Sequence, residues 1–459
     1  MKNLTLENLA AACNGRYVGP EEKRNVCVTA ITTDSRKVTE GCLFVAIRGA
    51  RVDGHRFISQ VMKAGAAAVL SEQELEGADY PYILTESSLQ AVKDIAEFYL
   101  KQLQIPVIGI AGSVGKTSTK EMVAAVLEQR YRVLKTEGNF NNELGLPLTV
   151  FRLRDEDEIA VLEMGISDFG EMHRLAKIAR PQTCIMTNIG WCHLENLKDR
   201  DGILRAKSEI FDFLGQDGHV ILNGDDDKLA TIREVRGIRP VRFGLETSND
   251  IWADELENQG LKGIRCRIHT PAGEFRTTVP MPGRHMVYNA LAGTAAGLAY
   301  GLSLDEIQKG IESFESLSGR FHIVETPDHV IIDDCYNANP VSMKASLQVL
   351  QEGRGRRVAV LGDMGELGED EKKLHEEVGA FAAGLSIDAL YCAGPLCQAM
   401  AEGARSVRPD MEIRHFHSRE QLMVELRGLL KKGDTVLVKA SHYMQFEKVV
   451  AMLLEDAEA

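Results

Sequence analysis

The chain has 459 residues, 44% of them hydrophobic and 26% charged, which suits a folded protein of about three domains rather than one core. A formal net charge of -14 argues against general nucleic-acid binding, since a duplex would repel such a surface, yet it leaves room for a local basic pocket. The nine cysteines are scattered without a Cys-x-x-Cys pair or zinc-type spacing, the pattern of reduced thiols in a cytoplasmic protein.

The N-terminal stretch carries Glu7 among its apolar residues and lacks the core of a signal peptide. Over the first 104 residues, short apolar runs (CLFVAI, AAAVL, YPYIL) alternate with turn residues, predicting a small α/β domain. A compact apolar run, Ile105–Ala111, then reads as a buried parallel strand, followed by helical spacing over Thr117–Arg130. Further buried strands are expected at Ile159–Leu162, Cys184–Ile189 and His219–Leu222 with helices between, which predicts a doubly wound sheet. Asn249–Pro280 reads instead as short antiparallel strands inserted at the sheet edge.

Met286–Leu304 carries no charge and is long enough to span a bilayer, but it is rich in Ala, Gly, Asn, Thr and Ser. Its Gly293, Gly297 and Gly301 recur every four residues, so a flat face packed in a protein core is the better expectation, with no membrane insertion. From Arg320 a second alternating series (VIID, RVAVLGD, ALYCAG, DTVLVKA) predicts a Rossmann-like C-terminal domain. The expected division is 1–104, 105–319 and 320–459, an α/β protein of three domains with a central doubly wound P-loop sheet.

Ala111-Gly112-Ser113-Val114-Gly115-Lys116-Thr117-Ser118 lies between the predicted strand and helix. Its glycines let backbone N–H groups turn toward phosphates, and the helix N-terminus adds positive potential. Lys116 would neutralise the β/γ-phosphates of ATP, and the Thr117 hydroxyl would reach Mg²⁺. The first glycine of the usual pattern is replaced by Ile110, so the loop is a shortened form. Glu163 ends the strand IAVLEMG at the carboxyl edge, where a metal-binding oxygen would serve or simply be solvated.

The short form Gly-Ser-x-Gly-Lys-Thr resembles the nucleotide loop of the Mur ligases and their folylpolyglutamate-synthetase relatives, with Ala111 and Val114 as departures. That resemblance extends from about Thr5 to Val450. It implies that Gly112, Ser113, Gly115, Lys116, Thr117 and Ser118 hold ATP, and that Thr117, Glu163, His193 and Lys207 serve two Mg²⁺ sites. It also implies a carbamylated Lys207, in Ala206-Lys207-Ser208, and an adenine contact from Asn289 in Tyr288-Asn289-Ala290. Arg320, in Ser318-Gly319-Arg320, would meet the γ-phosphate, making it catalytic with Lys116, His193 and Lys207.

Asp333-Asp334-Cys335-Tyr336-Asn337-Ala338-Asn339-Pro340 is similar to a segment of one Mur branch, which joins D-alanyl-D-alanine to UDP-N-acetylmuramoyl-tripeptide. The Asp-Asn-Pro-Arg usual in the branch that adds the third residue is absent. By this likeness Asp334 is assigned to the nucleotide and Tyr336, Asn337 and Asn339 to substrate. Val360–Gly368 with His375, and Leu437–Ser441, are similar to the same branch; Ala440 and His442 depart from the commoner Lys-Gly-Ser-Arg, so no specific role is assigned to His442. Thr33-Asp34-Ser35-Arg36 and Asp53-Gly54-His55 resemble a UDP-binding domain, which assigns Ser35 and Arg36 to the uridine or pyrophosphate. Asn139, Asn141 and Asn142 match a substrate-contacting loop. The implied reaction is ATP-dependent amide formation through an acyl phosphate, by a monomer. The alternatives are a folylpolyglutamate synthetase-like ligase and a P-loop nucleotide switch, although no guanine-reading Asn-Lys-x-Asp segment is present.

Overall fold

The computed structural model describes residues 1–49 and 52–458, with side chains as far as Glu455. Three sheets follow one another along the chain. In the first, Ile31–Thr32, Leu43–Val45, Ala68–Ser71 and Tyr82–Leu84 run parallel, and Arg16–Val18 closes the edge antiparallel to Tyr82–Leu84. The apolar runs expected as strands over residues 1–104 supply three of these five.

The central sheet has nine strands, with Val107–Ala111 between Ile159–Glu163 and Thr183–Met186. Both pairings are parallel, with the later strands lying on opposite sides of the earlier one. That reversal of winding opens a crevice at the strands' carboxyl ends. His219–Asn223, Val241–Gly244 and Ile251–Asn258 extend the parallel array. Only Ile264–Thr270 and Gly273–Val279 run antiparallel. The segment expected as short antiparallel strands at the sheet edge does lie there, each of its three strands antiparallel to the next, and it differs only in that Ile251–Asn258 joins the sheet by a parallel pairing to Val241–Gly244. Alternation along Ile251–Asn258 marks a half-exposed strand but does not tell its direction.

The third sheet orders His322–Glu325, His329–Asp333, Asp434–Lys439, Arg357–Gly362, Ala389–Ala393 and Glu412–Phe416, parallel except at the first pair. Helices Pro340–Leu350, Glu371–Gly384, Cys397–Val407 and Arg419–Leu429 alternate with its strands, giving the doubly wound arrangement expected for the C-terminal part. Asp333 links this sheet to the preceding one. Its buried carboxylate accepts the Gly319 N–H at 2.7 Å and the Ser318 hydroxyl at 3.1 Å.

The charge-free segment forms helix Arg284–Ala299, buried along most of its length against helix Lys116–Leu127. Among the described residues no helix is long and apolar enough to cross a membrane. A Cβ at Gly293 would lie 3.2 Å from Met122, and one at Gly297 would lie 2.9 Å from Val126, so both glycines do form a flat packing face. Gly301 does not belong to it: with φ of 75° it turns the chain after the helix. Gly310, in helix Leu304–Glu312, approaches more closely still, and its added Cβ would stand 2.4 Å from the Val126 Cα. A backbone cannot yield as a side chain does. Gly310→Ala should therefore cost about 1–3 kcal/mol and lower Tm in thermal denaturation; an unchanged Tm would deny the close crossing.

Candidate functional site

The loop from Gly112 to Gly115 leaves strand Val107–Ala111 and enters helix Lys116–Leu127. Gly112 has φ of 153°, and a Cβ there would fall 1.9 Å from the Thr187 hydroxyl oxygen, so no other residue fits. The neighbouring strand end pins the loop. The Asn188 side-chain carbonyl accepts the Val114 N–H at 2.9 Å, its backbone carbonyl accepts the Ser113 N–H at 3.0 Å, and the Thr187 hydroxyl donates to the Val114 carbonyl at 2.7 Å. Gly115, at φ of 81°, begins the helix without a side-chain cap, leaving its first N–H groups for an anion. Lys116 donates to the Gly112 carbonyl at 2.9 Å, so its ammonium is folded over the loop.

Glu163 ends its strand almost fully buried. One carboxylate oxygen accepts the Asn141 amide at 2.8 Å; the other is buried without a hydrogen-bond partner. An orphaned carboxylate oxygen is costly unless something cationic completes it, so the donor set suits a hard cation held with the Thr117 hydroxyl. His193, in a left-handed conformation with φ of 51°, faces the same space. Burial and the nearby Lys207 charge hold its imidazole below the ordinary value, which favours the neutral, ligating form.

Lys207 lies in helix Arg200–Ser208, is 1% exposed and makes no ion pair among the described residues. Burial, reinforced by the Lys116 charge, brings its amine down to about 7. It does not line the cavity but sits behind its wall, where its charge acts on His193.

The cavity has a volume of about 1250 Å³ and is walled by all three sheets' surroundings. Ser113, Gly115, Lys116, Thr117, Ser118, Glu163, His193 and Asn289 face it from the central part, as do Asn139, Asn141 and Asn142. Arg320, Asp334, Tyr336, Asn337 and Asn339 face it from the C-terminal part. Ile47 and Leu89 reach it from the N-terminal part. Arg320 stacks on the Tyr336 ring, its guanidinium carbon 3.6 Å from the ring centre. Burial raises the Tyr336 phenol above its ordinary value, against the opposing Arg320 charge.

Several expected ligand residues already have structural duties. Asn339 caps helix Pro340–Leu350, its carbonyl accepting the Ser342 N–H at 2.9 Å in a capping box. Asn142 accepts the Gly145 N–H at 2.8 Å, and Asn337 accepts the Ala338 N–H at 2.8 Å. Asn289 is held by the Thr119 hydroxyl at 2.9 Å, and Asp334 is paired with Lys439 at 2.6 Å and bonded to Ser346. Each retains only part of its polar capacity for a ligand. Ser35 and Arg36 are not brought to the cavity: Arg36 is 85% exposed and clasps Asp34 at 2.8 Å. Short range explains it, since a guanidinium two residues from a carboxylate closes on it locally.

The sequence reading missed Thr187, Asn188 and Lys439, which position the loops, and Glu366, which enters from the third sheet. Asn188 was visible only as a polar residue at the end of an apolar run, while Lys439 and Glu366 stood in the branch-like segments Leu437–Ser441 and Val360–Gly368 without an assigned role.

Three family models match the chain: Mur ligase family, catalytic domain, over residues 28–121; Mur ligase middle domain over 110–297; and Mur ligase, glutamate ligase domain, over 319–442. The UDP-N-acetylmuramoyl-tripeptide–D-alanyl-D-alanine ligase of Bacillus subtilis is 37% identical over 98% of both chains. MurF from Acinetobacter baumannii superposes with a TM-score of 0.90 at 33% identity, covering 98% of each chain. MurF ligase from Thermotoga maritima in complex with ADP gives 0.81 at 30% identity, covering 94% of this chain and 98% of that one. The chain belongs to the Mur ligase family.

Proposed function

We propose that this chain uses ATP to join D-alanyl-D-alanine to UDP-N-acetylmuramoyl-tripeptide, giving the UDP-pentapeptide precursor of peptidoglycan. The observation that carries this is the single cavity in which the Gly112–Gly115 loop faces Arg320 and Tyr336. Likeness to the UDP-N-acetylmuramoyl-tripeptide–D-alanyl-D-alanine ligase of Bacillus subtilis over 98% of both chains takes in all three sheets, which disfavours the folylpolyglutamate and nucleotide-switch alternatives.

A carboxylate is a poor acyl donor, so ATP first converts it. The loop N–H groups and Lys116 hold the β/γ-phosphates, and Asn289 and Asp334 border the rest of the nucleotide. A terminal oxygen of the tripeptide carboxylate bonds to the γ-phosphorus as ADP leaves, with Arg320 balancing charge on the equatorial oxygens. The amine nitrogen of D-alanyl-D-alanine then bonds to the acyl carbon, the tetrahedral adduct releases phosphate, and the ammonium proton passes to solvent. Asn139, Asn141 and Tyr336 border the path between the two substrates. Ser35 and Arg36 lie outside this cavity, so a uridine role for them requires the UDP group to extend beyond it.

Thr117, Glu163 and His193 would hold Mg²⁺, and the orphaned Glu163 oxygen supports that reading. When bound, Mg²⁺ supplies charge neutralisation at the phosphates. Lys207 is proposed to be carbamylated. Its buried amine, brought down to about 7, is substantially neutral near pH 7, and a neutral amine is the form that adds carbon dioxide. The resulting anion would offset Lys116 and give the metal site a further oxygen. Use of ATP and nine unpaired cysteines support a cytoplasmic location, and the chain is proposed to act as a monomer.

The direct assay is phosphate release from ATP with UDP-N-acetylmuramoyl-tripeptide, with and without D-alanyl-D-alanine. Release should need both, with a UDP-pentapeptide by mass spectrometry; turnover with folate and glutamate instead would place the chain in another branch. Arg320→Ala should reduce kcat by about a thousandfold with little change in the KM for ATP, and an unaltered kcat would remove Arg320 from the chemistry. With isotopically labelled bicarbonate, carbon NMR should show a carbamate signal that Lys207→Ala abolishes, together with a loss of about a hundredfold in kcat. No signal in active enzyme would reject the carbamate.

A further inference from the structure

Six carboxylates face the cavity, and five are committed. Glu143 is clasped by Lys93 and Arg174, and Glu171 accepts the Ser167 N–H at 2.7 Å. Asp226 accepts the Ile189 N–H at 2.9 Å, Asp334 is paired with Lys439, and Glu163 is bonded to Asn141 beside the metal donors. Glu366 differs. It makes no hydrogen bond among the described residues, its side chain is 79% exposed, and its nearest polar neighbour is the His193 ring at 3.5 Å.

The backbone that presents Glu366 is held from several sides. The Asp363 side chain accepts the Cys397 N–H at 2.8 Å, and its carbonyl accepts the Ser441 N–H at 3.1 Å. The Met364 N–H donates to His375 at 2.9 Å, and the other nitrogen of that fully buried ring donates to the Glu371 carbonyl at 2.7 Å. The Gly365 N–H donates to the Ser441 hydroxyl at 2.8 Å. Glu366 itself is left-handed, with φ of 59°, a conformation that a non-glycine residue keeps only where its surroundings impose it. Thus Asp363, His375 and Ser441, which suggested no role in the sequence, fix the carriage of one carboxylate. That carboxylate crosses from the third sheet to the catalytic end of the second.

Resting on the proposed ligation, we infer that Glu366 binds the α-ammonium group of the incoming D-alanyl-D-alanine and positions its nitrogen for the acyl carbon, which it attacks as the neutral amine after one ammonium proton has passed to solvent. The acyl phosphate forms at the γ-phosphate end, beside His193 and Lys116, so the amine must arrive there. That end holds the Lys116 ammonium, and a cationic substrate group approaching it is repelled. An uncommitted carboxylate at 3.5 Å from His193 offsets that repulsion and supplies a charge-assisted acceptor. Because Glu366 comes from the third sheet, the amine subsite is complete only while that sheet lies against the second.

The test is steady-state kinetics of wild type, Glu366→Gln and Glu366→Asp, with thermal melts to show that each is folded. A second arm compares D-alanyl-D-alanine with D-lactoyl-D-alanine, in which a hydroxyl replaces the ammonium, as a competing ligand. Glu366→Gln should raise the KM for D-alanyl-D-alanine by about tenfold to a hundredfold, the loss of one charge-assisted hydrogen bond. The KM for UDP-tripeptide should stay unchanged, Glu366→Asp should recover part of the affinity, and the preference for the ammonium over the hydroxyl ligand should shrink. An unchanged dipeptide KM, or a loss confined to ATP and Mg²⁺, would overturn the inference. Wild-type enzyme that does not ligate D-alanyl-D-alanine at all would instead overturn the proposed function.

Discussion

The buried Lys207 amine, beside the charge of Lys116 and with no carboxylate to pair with, is the constraint around which the site is organised. An amine buried without a carboxylate partner gives up its charge readily and adds nothing to stability that an apolar side chain would not, so folding alone would not retain it. Around it lie a helix N-terminus with free N–H groups, a neutral-leaning His193 and a Glu163 oxygen left unsatisfied. By themselves these groups leave one another's charge and hydrogen bonding unbalanced. Phosphates, a hard cation and a carbamate would resolve the conflict together. A chain with net charge of -14 thus keeps a local excess of positive charge where it would meet anionic substrates.

The second organising feature is the junction between the central and third sheets. Asp333 ties down Gly319, so the next residue, Arg320, emerges at a fixed place and stacks on Tyr336. The same strand end supplies Asp334, which Lys439 draws toward the loop carrying Asn337. A small set of buried bonds therefore brings an arginine, a phenol and a carboxylate to a phosphate loop that lies over 200 residues earlier in sequence.

Much of the fold was legible in the sequence because parallel strands buried on both faces leave continuous apolar runs. VIGIA, IAVLE and DTVLVK all became strands. Strands with one exposed face, such as Glu412–Phe416, left no such run and went unread. Direction was also illegible where alternation alone marked the strand, as at Ile251–Asn258. In the site, Lys116, Thr117 and Glu163 were readable since their positions follow from strand, loop and helix order. Asn142 and Asn339 show the limit: an amide in a loop is equally suited to capping a helix, and only the backbone decides. Glu366 was unreadable for another reason, because its place at the cavity depends on contacts between separate sheets.

An acyl phosphate transfers one oxygen of the tripeptide's terminal carboxylate to the phosphate that leaves. The most direct measurement is a single turnover with that carboxylate enriched in heavy oxygen, followed by mass analysis of the released phosphate. One labelled oxygen in the phosphate is the predicted result. Phosphate free of label, formed alongside normal amide product, would contradict attack of the carboxylate on the γ-phosphorus.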